Sequence, residues 1–384
     1  MEVYFDNSAT TRCYESVKDI MIKTMTEDYG NPSAMHRKGV EAEQYVKNSA
    51  KAIAGLLKVQ EKEILFTSGG TESNNLALIG GAMANKRSGT HIVTTAVEHA
   101  AVSQPAAFLQ EQGFEVTYLP VDSEGRVKME VLESVLRPDT ILVSVMYVNN
   151  EVGSVMPVEE IGKLVHEKSP KALFHVDAIQ AFGKYRILPK KAGIDLLSVS
   201  GHKIHGPKGV GFLYINEKAR IQPQILGGGQ QNGMRSGTDN VPGIAGLGAA
   251  AQESYQDLES KNEHLYSLKE YIAAGLSEME NIRINGMSLR EAAPHILSIS
   301  VMGVRSEVLL HALEDRGIYI SAGSACSSHK RKPSAVLTAM GMSREQIEST
   351  VRLSFSEENT MEEADYFLQA MKELVPMLRR YSRR

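Results

Sequence analysis

The chain has 384 residues, 42% of them hydrophobic, with 42 basic against 46 acidic side chains and a formal net charge of −4. That balance argues against a dedicated nucleic-acid binder, and no uncharged apolar run reaches the roughly 18–20 residues a membrane helix needs. Two cysteines, Cys13 and Cys326, exclude a disulfide framework.

The length suggests two domains, or one large domain plus a smaller one. The acidic start, Met1 to Asp6, lacks a basic stretch followed by an apolar one, so no signal peptide is expected and the cytoplasm is the expected compartment. Residues 64–67 read as a short buried strand, followed by glycines and a helix over 73–85. Strands are predicted over 91–96, 114–119, 140–148, 173–176, 196–199 and 210–214, with helices over 100–112 and 158–168. Short apolar strands alternating with helices indicate a mostly parallel sheet covered on both faces. After about Gly246 the pattern changes. Residues 247–280 read as one long helix, followed by an alternating strand at 296–301, a helix over 306–315, a strand over 351–355 and an amphipathic helix over 361–378. This second stretch reads as an α+β unit.

Open α/β sheets place ligands at strand ends, and four predicted exits carry unusual polar sets. Thr67-Ser68-Gly69-Gly70-Thr71-Glu72-Ser73 suits a phosphate, although alone it is equally an ordinary capped glycine turn. Asp177 closes a strand, where it either caps a helix or faces a cationic ring nitrogen. Lys203 lies between His202 and His205 just past a strand; most lysines are solvated charges, but a desolvated amine has a lowered pKa and forms Schiff bases. His99 follows Glu98 at a fourth exit, where a structural histidine is the commoner reading. Gly206 to Gly211 precedes a strand, so it is not a nucleotide loop. A phosphate cradle, a carboxylate and an amine at strand ends together describe a pyridoxal phosphate site.

The combination resembles the cysteine desulfurases, within the class-V aminotransferases of pyridoxal phosphate fold-type I. The resemblance rests on Tyr4 to Thr11, Tyr29 to Ser33, Thr67 to Asn75, Glu98-His99, Asn149 to Gly153, Asp177 to Gln180, Ser200 to Pro207, Met234 to Thr238, Ser321 to Cys326 and Arg352 to Ser354, and so spans nearly the whole chain. It implies an α/β fold with a mostly parallel, seven-stranded sheet flanked by helices in a large domain (16–255). A smaller α+β domain (1–15 and 256–384) would carry the Cys326 loop. By position, Lys203 matches the lysine that holds the cofactor aldehyde, Asp177 the partner of the ring nitrogen, Gln180 the donor to the phenolic oxygen and His99 the histidine stacked on the ring. Gly70, Thr71, Ser200 and His202 match phosphate contacts, and Thr238 matches one supplied by the other subunit of a homodimer with shared sites. Asn150 matches a group facing cofactor and substrate, and Arg352 one that holds the substrate carboxylate.

Cys326 matches the nucleophile that accepts sulfur from L-cysteine, and the resemblance leaves room for it as a transient iron–sulfur ligand. The residues around it agree: Ser321 to Ser328 is too small and polar to pack a core, and His329-Lys330-Arg331-Lys332 follows, where cations favour thiolate. That quartet reads either as a solvated loop or as a surface that steers an acidic sulfur acceptor. Cys13 reads as a small buried residue. Ser327 and the quartet depart from the commonest family pattern, which leaves open the acceptor: an iron–sulfur scaffold or a tRNA-thiolating protein. No direct contact with nucleic acid or membrane is expected. A selenocysteine lyase shares such a cofactor site; an aminotransferase shares it without needing Cys326. A non-enzymatic scaffold would not need Lys203, Asp177, His99 and Cys326 together.

Overall fold

The computed structural model describes residues 1–322 and 333–382. Strand β1 (Val3–Tyr4) opens the chain, and the seven strands β2 (Ile64–Thr67), β3 (His91–Thr95), β4 (Glu115–Leu119), β5 (Thr140–Met146), β6 (Leu173–Asp177), β7 (Leu196–Ser200) and β8 (Gly211–Ile215) form the main sheet. Their order is β2-β8-β7-β6-β5-β3-β4, and only the pairings of β8 with β7 and β2 are antiparallel. The expected mostly parallel, seven-stranded sheet is therefore present. Every residue of β5 is buried, as a strand covered on both faces requires. The antiparallel return of β8 sets Gly211 beside both Thr67 and Ser200. The ends of β2, β5, β6 and β7 thus open at one edge of the sheet.

A second sheet, ordered β12-β13-β10-β9, is antiparallel and comprises β9 (Ile282–Asn285), β10 (Ile296–Val301), β12 (Ser321–Ala322) and β13 (Thr350–Ser354). Strand β11 (Ile318–Tyr319) pairs with β1. Phe5, Leu265, Leu268, Ile299, Leu353 and Phe367 belong to a separate hydrophobic core on this side. Asp6 bridges to Ser354, so the N-terminal segment runs from this second core to the edge of the main sheet.

The long helix expected over 247–280 is instead two, Val241–Tyr255 and Leu258–Ser277. Gln256 is extended and Asp257 is left-handed at φ 49°. The break has a packing reason. Tyr255 and Leu258 bury into the main core, whereas Leu265 onward faces the second one, and a straight helix would carry one of these sets away from its partners. Two helices that the strand pattern had not revealed, Glu15–Thr26 and Arg37–Leu57, pack on Val241–Tyr255. Cys13 is exposed rather than buried, and its thiol donates to the Gly206 carbonyl at 3.3 Å. Among the described residues no helix is long and apolar enough to cross a membrane.

Candidate active site

The turn after β2 approaches β7 closely. Gly69 lies at φ 144°, a region open mainly to glycine, and a Cβ on Gly70 would fall 2.2 Å from Ile179 Cδ1. The two glycines put no side chain there, so the backbone lines a cavity of about 490 Å³ together with Thr10, Thr71, Ser200 and His202. Thr71 also borders a neighbouring cavity of about 610 Å³ that holds His99. Burial pushes the His202 ring down to about 4, with help from Lys203 and Lys208, so it is neutral at pH 7. Its Nδ1 lies 3.2 Å from Thr10 Oγ1.

Lys203 stands on the short turn after β7, and its Nζ donates to the carbonyls of Ser8 (2.6 Å) and Ala9 (2.7 Å). The N-terminal segment therefore docks directly on the lysine. Asp177, at the end of β6, accepts from Asn74 Nδ2 (2.8 Å) and the Ile179 amide (3.0 Å). Burial pushes its carboxyl up, against those two donors and the charges of His99 and Lys203. A carboxylate so enclosed holds its charge best against a nearby cation. His99 caps the helix Ala100–Glu111, its Nδ1 accepting from the Ala101 amide at 3.1 Å; the ring proton therefore sits on Nε2. Burial lowers the pKa of this ring and favours the neutral form.

Gln180 donates through Nε2 to Ser8 O at 3.0 Å, the carbonyl that also holds Lys203. Arg352 is buried on β13, where its guanidinium donates to Asp6 Oδ1 (2.7 Å) and the Asn150 main-chain carbonyl (2.8 Å), and its Nε has no partner among the described residues. Asn150 thus contributes its backbone here rather than its side chain. Lys203, Asp177, Gln180, His99, Gly70, Thr71, Ser200 and His202 gather at one end of the sheet, and the Asp6–Ala9 segment connects Arg352 to them. Thr238 stands apart, exposed, in a segment tied down by the Arg235–Glu72 ion pair at 3.0 Å. Cys326 and the quartet His329 to Lys332 lie outside the described residues.

Several residues of this constellation carried no assigned role in the sequence. Asn74, one turn into the helix after the glycine turn, orients Asp177; Asp6 orients Arg352; Glu72 links the glycine turn to Arg235. Asn74 and Asp6 both fall inside recognised motifs, which was the available signal. Glu98 is buried, and its Oε1 accepts from Thr95 Oγ1 and the Met146 amide, which secures the turn that carries His99. Burial pushes its carboxyl up to about 8, so it is mostly protonated at neutral pH.

The family model for class-V aminotransferases matches residues 3–367. The cysteine desulfurase IscS of Methanosarcina thermophila is 43% identical over 380 residues, which cover 99% of this chain and 93% of that protein. A solved NifS-like protein superposes with a TM-score of 0.93 at 40% identity, covering 98% of this chain and 100% of the other. A structure titled SspA in complex with cysteine gives 0.80 at 34% identity, covering 93% and 100%. The chain belongs to the class-V aminotransferase family and, within it, to the cysteine desulfurases.

Proposed function

We propose, from that membership and this geometry, that the chain uses pyridoxal phosphate to take sulfur from L-cysteine, leaving L-alanine and a persulfide on Cys326. The observation that carries the reading is the placement of the Lys203 amine, the enclosed Asp177 carboxylate and a side-chain-free glycine turn at one end of the sheet. The residues fit the cofactor. The Gly69–Gly70 turn, Thr71, Ser200 and His202 would hold its phosphate. Asp177 would face its ring nitrogen, the cation that so buried a carboxylate favours. The buried Ser8 hydroxyl, without a partner among the described residues, marks a further polar atom at this edge.

When bound, pyridoxal phosphate supplies an aldehyde that holds the substrate amine and a protonated ring that draws electrons from Cα. Lys203 would hold the aldehyde at rest and, once displaced by substrate, accept the Cα proton. Asp177, oriented by Asn74, would keep the ring nitrogen protonated. His99 would stack on the ring and offer its Nε2 proton to the substrate side. Arg352, oriented by Asp6 and the Asn150 carbonyl, would present its guanidinium to the substrate carboxylate. The Cys326 thiolate would attack the substrate sulfur; as the new S–S bond forms, the C–S bond breaks and carbon takes a proton, which balances L-cysteine plus thiol against L-alanine plus persulfide. The sulfur would then pass to an acceptor protein. Thr238, exposed in one subunit, would reach the phosphate in the partner of a homodimer. The division proposed for the chain remains 16–255 for the cofactor domain, with 1–15 and 256–384 for the smaller one.

The test is product analysis on purified, cofactor-loaded protein offered L-cysteine, L-selenocysteine or an amino acid with a keto acid. With a dithiol present to reduce the persulfide, alanine with sulfide in equal amounts supports the desulfurase; without it, alanine matches the persulfide left on the protein. Turnover confined to selenocysteine, or amino transfer, would replace it with a lyase or an aminotransferase.

A further inference from the structure

Gln180 carries an amide that can be turned end for end with little change of shape, yet its two ends would do opposite things in the Lys203 pocket: the nitrogen donates and the oxygen accepts. Nε2 donates to Ser8 O at 3.0 Å, and Oε1 lies 3.3 Å from Nε2 of His295. His295 is 115 residues away in sequence and precedes β10, with its carbonyl accepting from the Phe355 amide at 2.9 Å. The side chain is 4% exposed.

We propose that His295 is a positioning residue that locks the Gln180 amide with its nitrogen toward the Lys203 pocket, so that the cofactor's phenolic oxygen meets a donor. The inference rests on the cofactor reading above.

Three observations carry it. Ser8 O already accepts from Lys203 Nζ at 2.6 Å, and a flipped Gln180 would turn its oxygen against that carbonyl. With Ser8 O holding the amide nitrogen, Oε1 faces His295 Nε2 at 3.3 Å, which calls for the proton on that ring nitrogen; flipping would then set amide N–H groups against it. Last, the imidazole has one proton to give. Burial holds it neutral, and the positive charges of Lys184, Lys269 and Arg352 press the same way. With the proton on Nε2, Nδ1 is a buried acceptor without a partner among the described residues. The ring leaves one nitrogen unsatisfied and directs its single donor to Gln180.

The test compares wild type, His295→Phe and His295→Gln by titrating each with pyridoxal phosphate and following the visible band against pH. In His295→Phe the amide loses its lock. Binding is expected to weaken about tenfold, and the pH midpoint of the band to rise by about one unit, as for a phenolate deprived of one donor. His295→Gln keeps a donor at similar reach and should restore most of both. Unchanged binding and midpoint in His295→Phe overturn the inference. Equal losses in both variants also overturn it, since they would mark a packing role for the imidazole. If His295→Phe does not accumulate, nitrogen NMR of the wild-type histidines decides: the neutral Nε2–H form is required, and an Nδ1–H or doubly protonated ring refutes the lock. A wild type that never develops the band refutes the cofactor reading and this inference together; a normal wild-type band with an unaffected Phe variant refutes only the inference.

Discussion

Replacing Glu357 with Gln should cost about 3 kcal/mol of stability and make that cost depend on pH. Glu357 joins parts of the chain that meet behind Lys203. Its carboxylate accepts from the Tyr14 hydroxyl and lies 3.4 Å from Lys261 Nζ, 3.9 Å from Lys184 Nζ and 3.4 Å from His205 Nε2. Burial alone would raise its pKa, but the contact with His205, the Lys184 charge and the Tyr14 hydroxyl outweigh it and hold the carboxyl far below its ordinary value. At an effective dielectric constant near 20, a pair 3.4–3.9 Å apart attracts by about 4–5 kcal/mol before desolvation. Removing one member of a buried pair costs about 3–5 kcal/mol. Exposures of 9–23% among these carboxylate and ammonium groups favour the lower end.

The pH dependence follows from Lys184. Burial already lowers its pKa, and Glu357 is the charge that opposes the shift. In Glu357→Gln the folded-state pKa falls further below the unfolded value of about 10.4. The unfolded chain then binds more protons across that interval, so the variant gains stability as pH rises. Urea denaturation of cofactor-saturated protein at pH 7 and pH 9.5, followed by far-UV circular dichroism, should show a deficit that shrinks at the higher pH. His205 sits two residues past Lys203 at φ 62°, so cofactor retention should weaken as well. A deficit below about 1 kcal/mol, or one that is constant with pH, would refute the reasoning.

Lys203→Ala should eliminate the cofactor adduct that borohydride fixes in the wild type; mass spectrometry of the reduced protein locates it, and an adduct on another lysine refutes the assignment. Cys326→Ser should keep the spectral response to L-cysteine but release no sulfide and form no persulfide, and full activity in the variant would remove the thiol from the scheme. Thr238→Ala should weaken cofactor retention by about 1–2 kcal/mol. Mixed dimers with Lys203→Ala should then contain one doubly damaged and one intact site, whereas two singly damaged sites would place Thr238 in its own subunit's pocket. His175 lies between the Ser144 and Ser198 hydroxyls at 2.8 and 2.9 Å, and burial pushes its ring down to about 3. The unfolded chain therefore binds a proton near pH 6.5 that the folded chain refuses until near pH 3; stability falls as pH drops below 6.5, by about 2 kcal/mol at pH 5. His175→Gln should flatten that slope in denaturation curves between pH 6.5 and 4.5, and an unaltered slope would place the acid sensitivity elsewhere.

What could be read from the chain, and what could not, divides by the range of the interaction. β5 is a run of apolar and β-branched residues, and a sheet covered on both faces needs such a run, so local pattern alone located it. Asp177 ends one strand and Lys203 stands on the turn after another, where position relative to one element marks them. His295 and Gln180 meet across 115 residues, and no local pattern at either end announces the contact. The helix break at Asp257 belongs to the same class: periodicity runs through residues 247–280, and only the existence of two cores, invisible to periodicity, requires the chain to turn there. Cys13 shows the converse error. A lone cysteine is commonly a buried residue, but its neighbours Arg12 and Tyr14 belong to a segment that docks on the Lys203 turn through its backbone, with the Thr11 amide donating to His202 O and the Tyr14 amide to His205 O. A segment held by main-chain bonds can leave a side chain such as Cys13 outside. The same docking brings the carbonyls of Ser8 and Ala9 to the lysine amine. Backbone groups are common to every residue, so sequence could mark this segment only through its family likeness, while the physical reason for the likeness lies in carbonyls that no side-chain pattern records.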